Sequence, residues 1–190
     1  MHDANEESDD PGHRLTKSVW TDADFATMGW HDCWIYAFAV VADEDQELSG
    51  RLLIDLDYIV RWTGGDAAGE PFGFWIAPAT LIFHGVCDLD GKIAAGQRYT
   101  SGFEISDISR SAMSDPLGYY GWTIDADLAM RFRAAGFREI IRREPQHVAD
   151  QRLTMEQRGG LSFGEQPYDD PNGAPTVTHA LNPPGGAPHR

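Results

Sequence analysis

The chain has 190 residues, of which 42% are hydrophobic and 11% aromatic, enough apolar material for one folded domain of ordinary size. Thirty Asp and Glu against fifteen Lys and Arg give a formal charge of −15, which repels phosphate backbones and anionic membrane surfaces. The composition therefore excludes nucleic acid and membranes as expected partners, whereas a basic protein or a metal cation would be attracted.

Both ends of the chain are polar. Residues 1–17 are acidic and almost free of apolar side chains, and beyond Phe163 the chain becomes rich in Pro and Gly. We predict a disordered acidic tail over 1–17, a single β-rich domain over 18–163 and a disordered Pro/Gly-rich tail over 164–190. The N-terminus also lacks the pattern of a signal peptide, and no stretch approaches the ~20 apolar residues of a membrane span, which predicts a cytoplasmic protein.

The first elements are a short helix and a buried strand. Thr21 and Asp24 resemble a capping pair ahead of a helix that Gly29 would end. Residues 31–42 are nearly all apolar or aromatic, which predicts a strand that is buried on both faces or lies at the centre of a sheet. Cys33, like Cys87, lies inside an apolar run, so we expect free buried thiols in preference to a disulfide.

Residues 51–62 alternate more cleanly and predict a strand with one wet face. Leu52, Ile54 and the following even positions share the apolar face, while Arg51, Asp55, Asp57 and Arg61 lie on the other. The link to the preceding strand is short, so the two should form an antiparallel hairpin.

A third strand is predicted over 74–84, continuing over 86–89 after a bend at Gly85. Pro78 lacks a backbone donor, which places this strand at an edge or requires a bulge. Weaker strands follow at 103–108, 121–124, 128–132 and 137–142, with a short helix within 148–157. Many strands with short links predict a mainly β fold, an antiparallel meander, sandwich or open barrel with one or two short helices.

Two polar groups interrupt this apolar pattern. His31 and Asp32 stand at the mouth of the first strand, where they either form part of a binding site or fix the entry of the strand through turn hydrogen bonds. Asp55 and Asp57 are ~7 Å apart on one strand face and could share a ligand, but ion pairing with Arg51 and Arg61 on an exposed surface is the favoured interpretation.

A metal site is the corresponding alternative. In a hairpin fold His84 could approach His31 and Asp32, which together offer nitrogen and carboxylate ligands for Zn, Mn or Fe. No metalloprotease, nucleophile-elbow, phosphate-loop or dinucleotide motif is present. We therefore predict no cofactor and no catalytic residue, and keep a metal-dependent hydrolase or small-molecule-binding enzyme using the His/Asp cluster as the alternative function.

A basic stretch stands out late in the chain. Arg131 and Arg133, followed by three further arginines, alternate with aromatics in a way typical of protein-binding surfaces, although pairing with internal acids explains them equally well. The later arginines are Arg138, Arg142 and Arg143.

Several segments together carry a resemblance: the triplet at 30–32, the strands at 53–59 and 77–83, and the tetrapeptide at 83–86. They resemble a family of uncharacterised bacterial β-sheet proteins with an aromatic-His-Asp motif, loosely similar to toxin-immunity proteins. The resemblance implies a β fold and no catalytic assignment. With the acidity, it predicts a non-enzymatic binding module that holds a basic protein, such as a toxin, on an acidic face.

Overall fold

The computed structural model describes residues 15–42, 50–65, 71–93 and 102–171 and shows a mainly antiparallel β-sheet fold, as predicted. A 3-10 helix covers Phe25–Thr27, and the α-helix α1 covers Met155–Arg158. The strands are β1 (Val19–Thr21), β2 (Trp34–Ala42), β3 (Gly50–Thr63), β4 (Gly73–Ile93), β5 (Phe103–Ala112), β6 (Tyr120–Ala126), β7 (Leu128–Ala134), β8 (Gly136–Ile141) and β9 (Gln146–Val148).

The sheet closes into a partial ring because β4 is long enough to pair with four strands. The order along the sheet is β1-β8-β4-β3-β2-β5-β6-β7, and β7 pairs back onto β4. The first half of β4 lies between β3 and the pair β8 and β9, while its second half, from Cys87 to Ile93, pairs with β7. The bend predicted at Gly85 lies where β4 changes partner, and its φ of +66° is accessible to glycine.

The predicted hairpin of the first two long strands is confirmed as the antiparallel pair β2 and β3, and all the weaker predicted strands are present. The helix predicted within 148–157 is shorter and later than expected, being the single turn of α1.

Pro78 lies inside the sheet and not at an edge or a bulge. The β9 pairing of β4 ends at Ile76 and the β8 pairing starts at Ala79, so Pro78 falls in the gap between the two neighbours. Its carbonyl oxygen accepts a hydrogen bond from the Arg142 amide on that side. The N and C=O of one strand residue point the same way, so the missing N–H faces Arg142, at the place where the β8 pairing ends.

The interior is divided by the plane of β3 and β4. On one face lies the main core, which contains Leu56, Leu81, Phe83 and Trp122 and is closed by residues before β2 such as Trp30. On the other face, a small apolar group packs against Phe163. This group consists of Leu53, Ile82 and Ile140. Residues from both ends of the described chain cover this second face, since Val19 also packs there.

Ordered contacts continue past the domain boundary predicted at residue 163. The Gly164 carbonyl accepts from the Thr80 hydroxyl at 2.8 Å, and the Tyr168 amide donates to the Ile141 carbonyl at 3.0 Å. Residues 164–171 therefore lie against the sheet, whereas residues 1–14 and 172–190 of the predicted tails are outside the described residues. No helix in the described part of the chain is long and apolar enough to cross a membrane.

Candidate functional site

Two aspartates and two arginines form a buried charged cluster on the face of β3 away from the main core. Asp55 and Asp57 are both 0% exposed. Arg158, at the end of α1, binds both: its Nη1 and Nη2 donate to the Asp55 oxygens at 3.0 and 2.8 Å, and its Nε donates to Asp57 Oδ1 at 3.2 Å. Arg142 donates from Nη2 to Asp55 Oδ1.

The remaining carboxylate oxygen capacity is used by nearby donors. The Ser162 amide donates to Asp55 Oδ2 at 3.0 Å. Asp57 Oδ2 accepts from the Leu153 amide at 2.8 Å and from the Tyr36 hydroxyl at 3.0 Å. Buried ions are tolerated when charge is neutralised and hydrogen bonds are complete, and this cluster meets both conditions around its carboxylates.

The short helix explains how Arg158 reaches the interior. Thr154 and Gln157 form a reciprocal capping box, and Gly159 ends the turn with φ of +76°. The reversal at Gly159 also brings the Gly160 carbonyl to Arg158 Nη1, 2.8 Å away. A single helical turn fixed at both ends thus holds the guanidinium against β3.

Burial and pairing compete in setting the pKa values of the cluster. Burial raises the pKa of Asp57, and the charge of Arg158 offsets part of that rise. Burial likewise lowers the pKa of Arg142, although its ion pair with Asp55 acts in the opposite direction. For Arg158 burial opposes the charge, but the hydrogen bonds and charges of both aspartates outweigh it and raise the pKa. The hydrogen bonds of this cluster hold residues 153–162 against β3.

The exposed-surface interpretation of Asp55 and Asp57 is wrong. Both side chains point away from the main core, as the alternation predicts, but that face is covered by the chain after residue 152. Arg51, one of the predicted surface partners, pairs with Glu165 at 2.7 Å, and the aspartates bind Arg142 and Arg158. Being buried, neither aspartate is available to a partner at the surface.

His31 and Asp32 form a turn that leads into β2. Asp32 has a φ of +65°, a conformation that Asp tolerates better than most residues, and its amide donates to the Ile105 carbonyl at 2.9 Å. Its carboxylate lies 2.8 Å from His31 Nδ1 and accepts from Gln151 Nε2 at 3.0 Å. His31 itself has 74% of its side chain exposed. The geometry matches the fixed-strand-entry alternative.

The residues of the proposed metal site are not brought into one group. His84 lies on β4 opposite Gly136 of β8, whereas His31 and Asp32 precede β2. Within the described ranges, no three His, Cys, Asp or Glu side chains are placed to hold a metal ion. Cys33 and Cys87 are both free, and burial raises the pKa of the Cys33 thiol.

The arginines of the predicted basic patch face acids on neighbouring strands. Arg133 donates to Asp88 at 2.7 Å and to Asp115 at 3.2 Å. Arg131 is exposed and lies opposite Asp90 in the register of β4 and β7. The later arginines are used differently: Arg138 lies 3.6 Å from Glu165, Arg142 is buried in the charged cluster, and Arg143 donates to the Gln157 carbonyl.

Exposed acids without such partners lie on the outer surface of β5 and β6. Asp107 and Asp125 are direct cross-strand neighbours, and Glu104 is exposed earlier on β5. We call these three residues the acidic strip. Among the residues the structure describes, no Lys or Arg forms an ion pair with any of them. Like charges directly opposite on a sheet are destabilising, so their arrangement lowers the stability of the free protein.

One buried acid was not singled out in the sequence. Glu139 of β8 is 0% exposed, and neither carboxyl oxygen has a hydrogen-bond partner among the described residues. The available signal was a glutamate between Phe137 and the apolar pair Ile140-Ile141 in a predicted strand.

Comparison of the chain with protein-family models, curated proteins and solved structures gave no match.

Proposed function

We propose that this protein is a non-enzymatic binding module, of the immunity type that the sequence resemblance implies, and that it holds a basic protein partner on the acidic strip. The observation that carries the proposal is the facing pair Asp107 and Asp125, which are exposed and form no ion pair with a described Lys or Arg. A partner that supplies Lys or Arg would relieve the repulsion, so the free-state cost becomes part of the binding energy.

The distribution of the positive charges supports this proposal. Several described arginines form ion pairs within the chain, as in the pairs of Arg110 with Asp22 and of Arg133 with Asp88. Arg131 lies beside the strip, opposite Thr123, but forms no ion pair with it, and the potential of the strip can extend about 10 Å into solution at 0.1 M salt. An acidic surface of this kind steers a basic partner towards the correct orientation.

The arrangement of the enzyme candidates favours binding over hydrolysis. Asp55 and Asp57 have their carboxylate oxygens occupied by arginines, amides and a tyrosine hydroxyl, which leaves no room for a reacting group between them. His31 and Asp32 form a turn with its own hydrogen bonds. The hydrolase alternative would need these side chains to converge in one pocket.

The test is capture of the partner by matched charge variants. Immobilised wild-type protein is exposed to extract of the native cell at low and high salt, beside the variant E104Q/D107N/D125N. We expect the wild-type protein to retain one basic protein at low salt and to release it at high salt. The variant E104Q/D107N/D125N should fail to retain that protein at low salt. The matched control is E144Q/D150N/E156Q, which removes the same charge from exposed acids elsewhere and should retain the partner.

Equal capture by wild type and the strip variant would contradict the proposal, as would recovery of no basic protein at low salt. Circular dichroism of both variants shows whether each is folded. Loss of capture in the control variant as well would point to net charge, not the strip, as the determinant.

A further inference from the structure

Glu139 lies in the main core, and no Lys or Arg of the described ranges forms an ion pair with it. On β8 it alternates with Phe137 and Ile141, both of which are buried in the main core, and it is flanked by Leu81 on β4 and Trp20 on β1. Burial raises the pKa of its carboxyl well above the ordinary value of 4.5. An isolated carboxylate in such surroundings is far less stable than the neutral acid.

The groups around Glu139 offer no compensation when its proton leaves. Tyr58 from β3 and Cys33, which directly precedes β2, are the described titratable groups whose pKa values Glu139 influences, and burial keeps the pKa of both raised, hence both neutral. The register neighbours Trp20 and Leu81 carry no charge. An ionised Glu139 must therefore be reached by water.

The thinnest cover over Glu139 is β1. This strand has three residues, pairs only with β8 among the described strands, and places Trp20 directly beside Glu139. The Trp20 ring lies 6.2 Å from that of Tyr58, so it reaches over the same part of the core. On its other sides Glu139 is enclosed by β4 and β3, which belong to the closed part of the sheet.

Side-chain contacts hold this edge in place: Val19 packs against the group of Leu53, Ile82 and Ile140, the Ser18 hydroxyl donates to Asp169, and Arg110 pairs with Asp22. The Ile141 amide donates to the Ser18 carbonyl at 2.8 Å, and the Phe137 amide donates to Asp22 Oδ2 at 3.1 Å. Displacing β1 breaks these and the three-residue pairing, whereas reaching Glu139 from the side of β4 would break the ring. Local opening occurs preferentially where the fewest contacts are lost.

We propose that Glu139 is a pH-sensitive latch: its proton holds β1 and Trp20 against the core, and loss of that proton releases this edge of the sheet. The ordinary carboxyl pKa applies in the open state and the raised one in the closed state. Between those two values each opening event releases one proton, so the opening equilibrium rises up to tenfold per pH unit. Below both values the edge stays closed, and above both the effect saturates.

Amide hydrogen exchange tests the latch. In the regime where exchange follows the opening equilibrium, the chemical step contributes a tenfold rise per pH unit for every amide. For the Ile141 and Phe137 amides of wild type, we expect the exchange rate to rise a hundredfold per pH unit above pH 4.5. In E139Q we expect tenfold, because Gln cannot ionise. The exposed-acid variant E104Q should behave as wild type, and E139L provides a second non-ionisable core variant if E139Q fails to fold.

The amides of β3 separate local from global opening. Global unfolding exposes Glu139 as well, so the Ile54 and Leu56 amides should show the same pH dependence, but they should exchange far more slowly than Ile141 and Phe137 because the ring stays closed when β1 is released. Equal protection of all four amides would show that Glu139 ionises only on global unfolding and would overturn the latch. A tenfold rise at Ile141 and Phe137 in wild type, equal to that in E139Q or E139L, would overturn it too.

Discussion

Arg158 connects two acids on one strand to a segment more than 90 positions later. Its guanidinium also lies 3.8 Å above the Tyr36 ring, so it is stabilised by an aromatic face as well as by two carboxylates. The planar guanidinium group can donate to both carboxylates at once, whereas the ammonium group of a lysine would supply a single point charge. The segment around α1 depends on this side chain because the helix itself has only one turn.

Replacing Arg158 by Met should strongly destabilise the protein. The change leaves Asp55 and Asp57 buried with less counter-charge, and breaking a buried pair in this way costs about 3–5 kcal/mol of unfolding free energy. Urea unfolding measures the loss. The matched control is R51M, whose pair with Glu165 is partly exposed and should contribute about 0–1 kcal/mol. Equal losses in the two variants would contradict the described burial of the cluster.

The strands were predictable from the sequence because each is a local pattern. The alternation over 51–62 and the apolar run over 31–42 both became strands, and they pair as neighbours. The burial of Asp55 was not predictable, since its cover comes from a polar, Gly-containing stretch near residue 160 with no periodicity. Alternation gives the face on which a side chain lies, and only the tertiary fold determines what covers that face.

The bend at Gly85 allows β4 to serve two parts of the sheet. At this residue the partner of β4 changes from β8 to β7, and the backbone takes a left-handed conformation. A Cβ there would lie 3.2 Å from the Tyr119 hydroxyl oxygen, which is tighter than an ordinary contact. Both the conformation and the crowding disfavour any larger residue.

The variant G85A should therefore lose about 1–2 kcal/mol of unfolding free energy from the left-handed conformation alone. The matched control lies on the same strand: G91A has no heavy atom within 4 Å of the added Cβ and no positive φ, so it should be neutral or slightly stabilising. Thermal unfolding of both variants makes the comparison. A G85A protein as stable as G91A would mean that the bend tolerates an ordinary residue.

At the scale of the whole molecule, the Asp55 and Asp57 charges are paired in the interior, whereas the acidic strip lies on the outer surface of β5 and β6 and forms no ion pair among the described residues. The acidity was visible in the composition, but the location of the acidic strip was not, because it depends on the register that places Asp107 opposite Asp125. Asp55 and Asp57, two of the candidate binding residues, form the internal cluster instead. Composition thus predicted that the surface is negatively charged, and strand pairing determined where the acidic strip lies.

The central claim is that the acidic strip steers a basic partner, and the association rate constant of the captured partner tests it most directly. Steering raises such rates roughly 10- to 1,000-fold and is lost as salt shortens the Debye length. We predict a rate that falls steeply with ionic strength for wild type and for E144Q/D150N/E156Q, and a low rate nearly independent of salt for E104Q/D107N/D125N. The same steep dependence in all three proteins would contradict the claim.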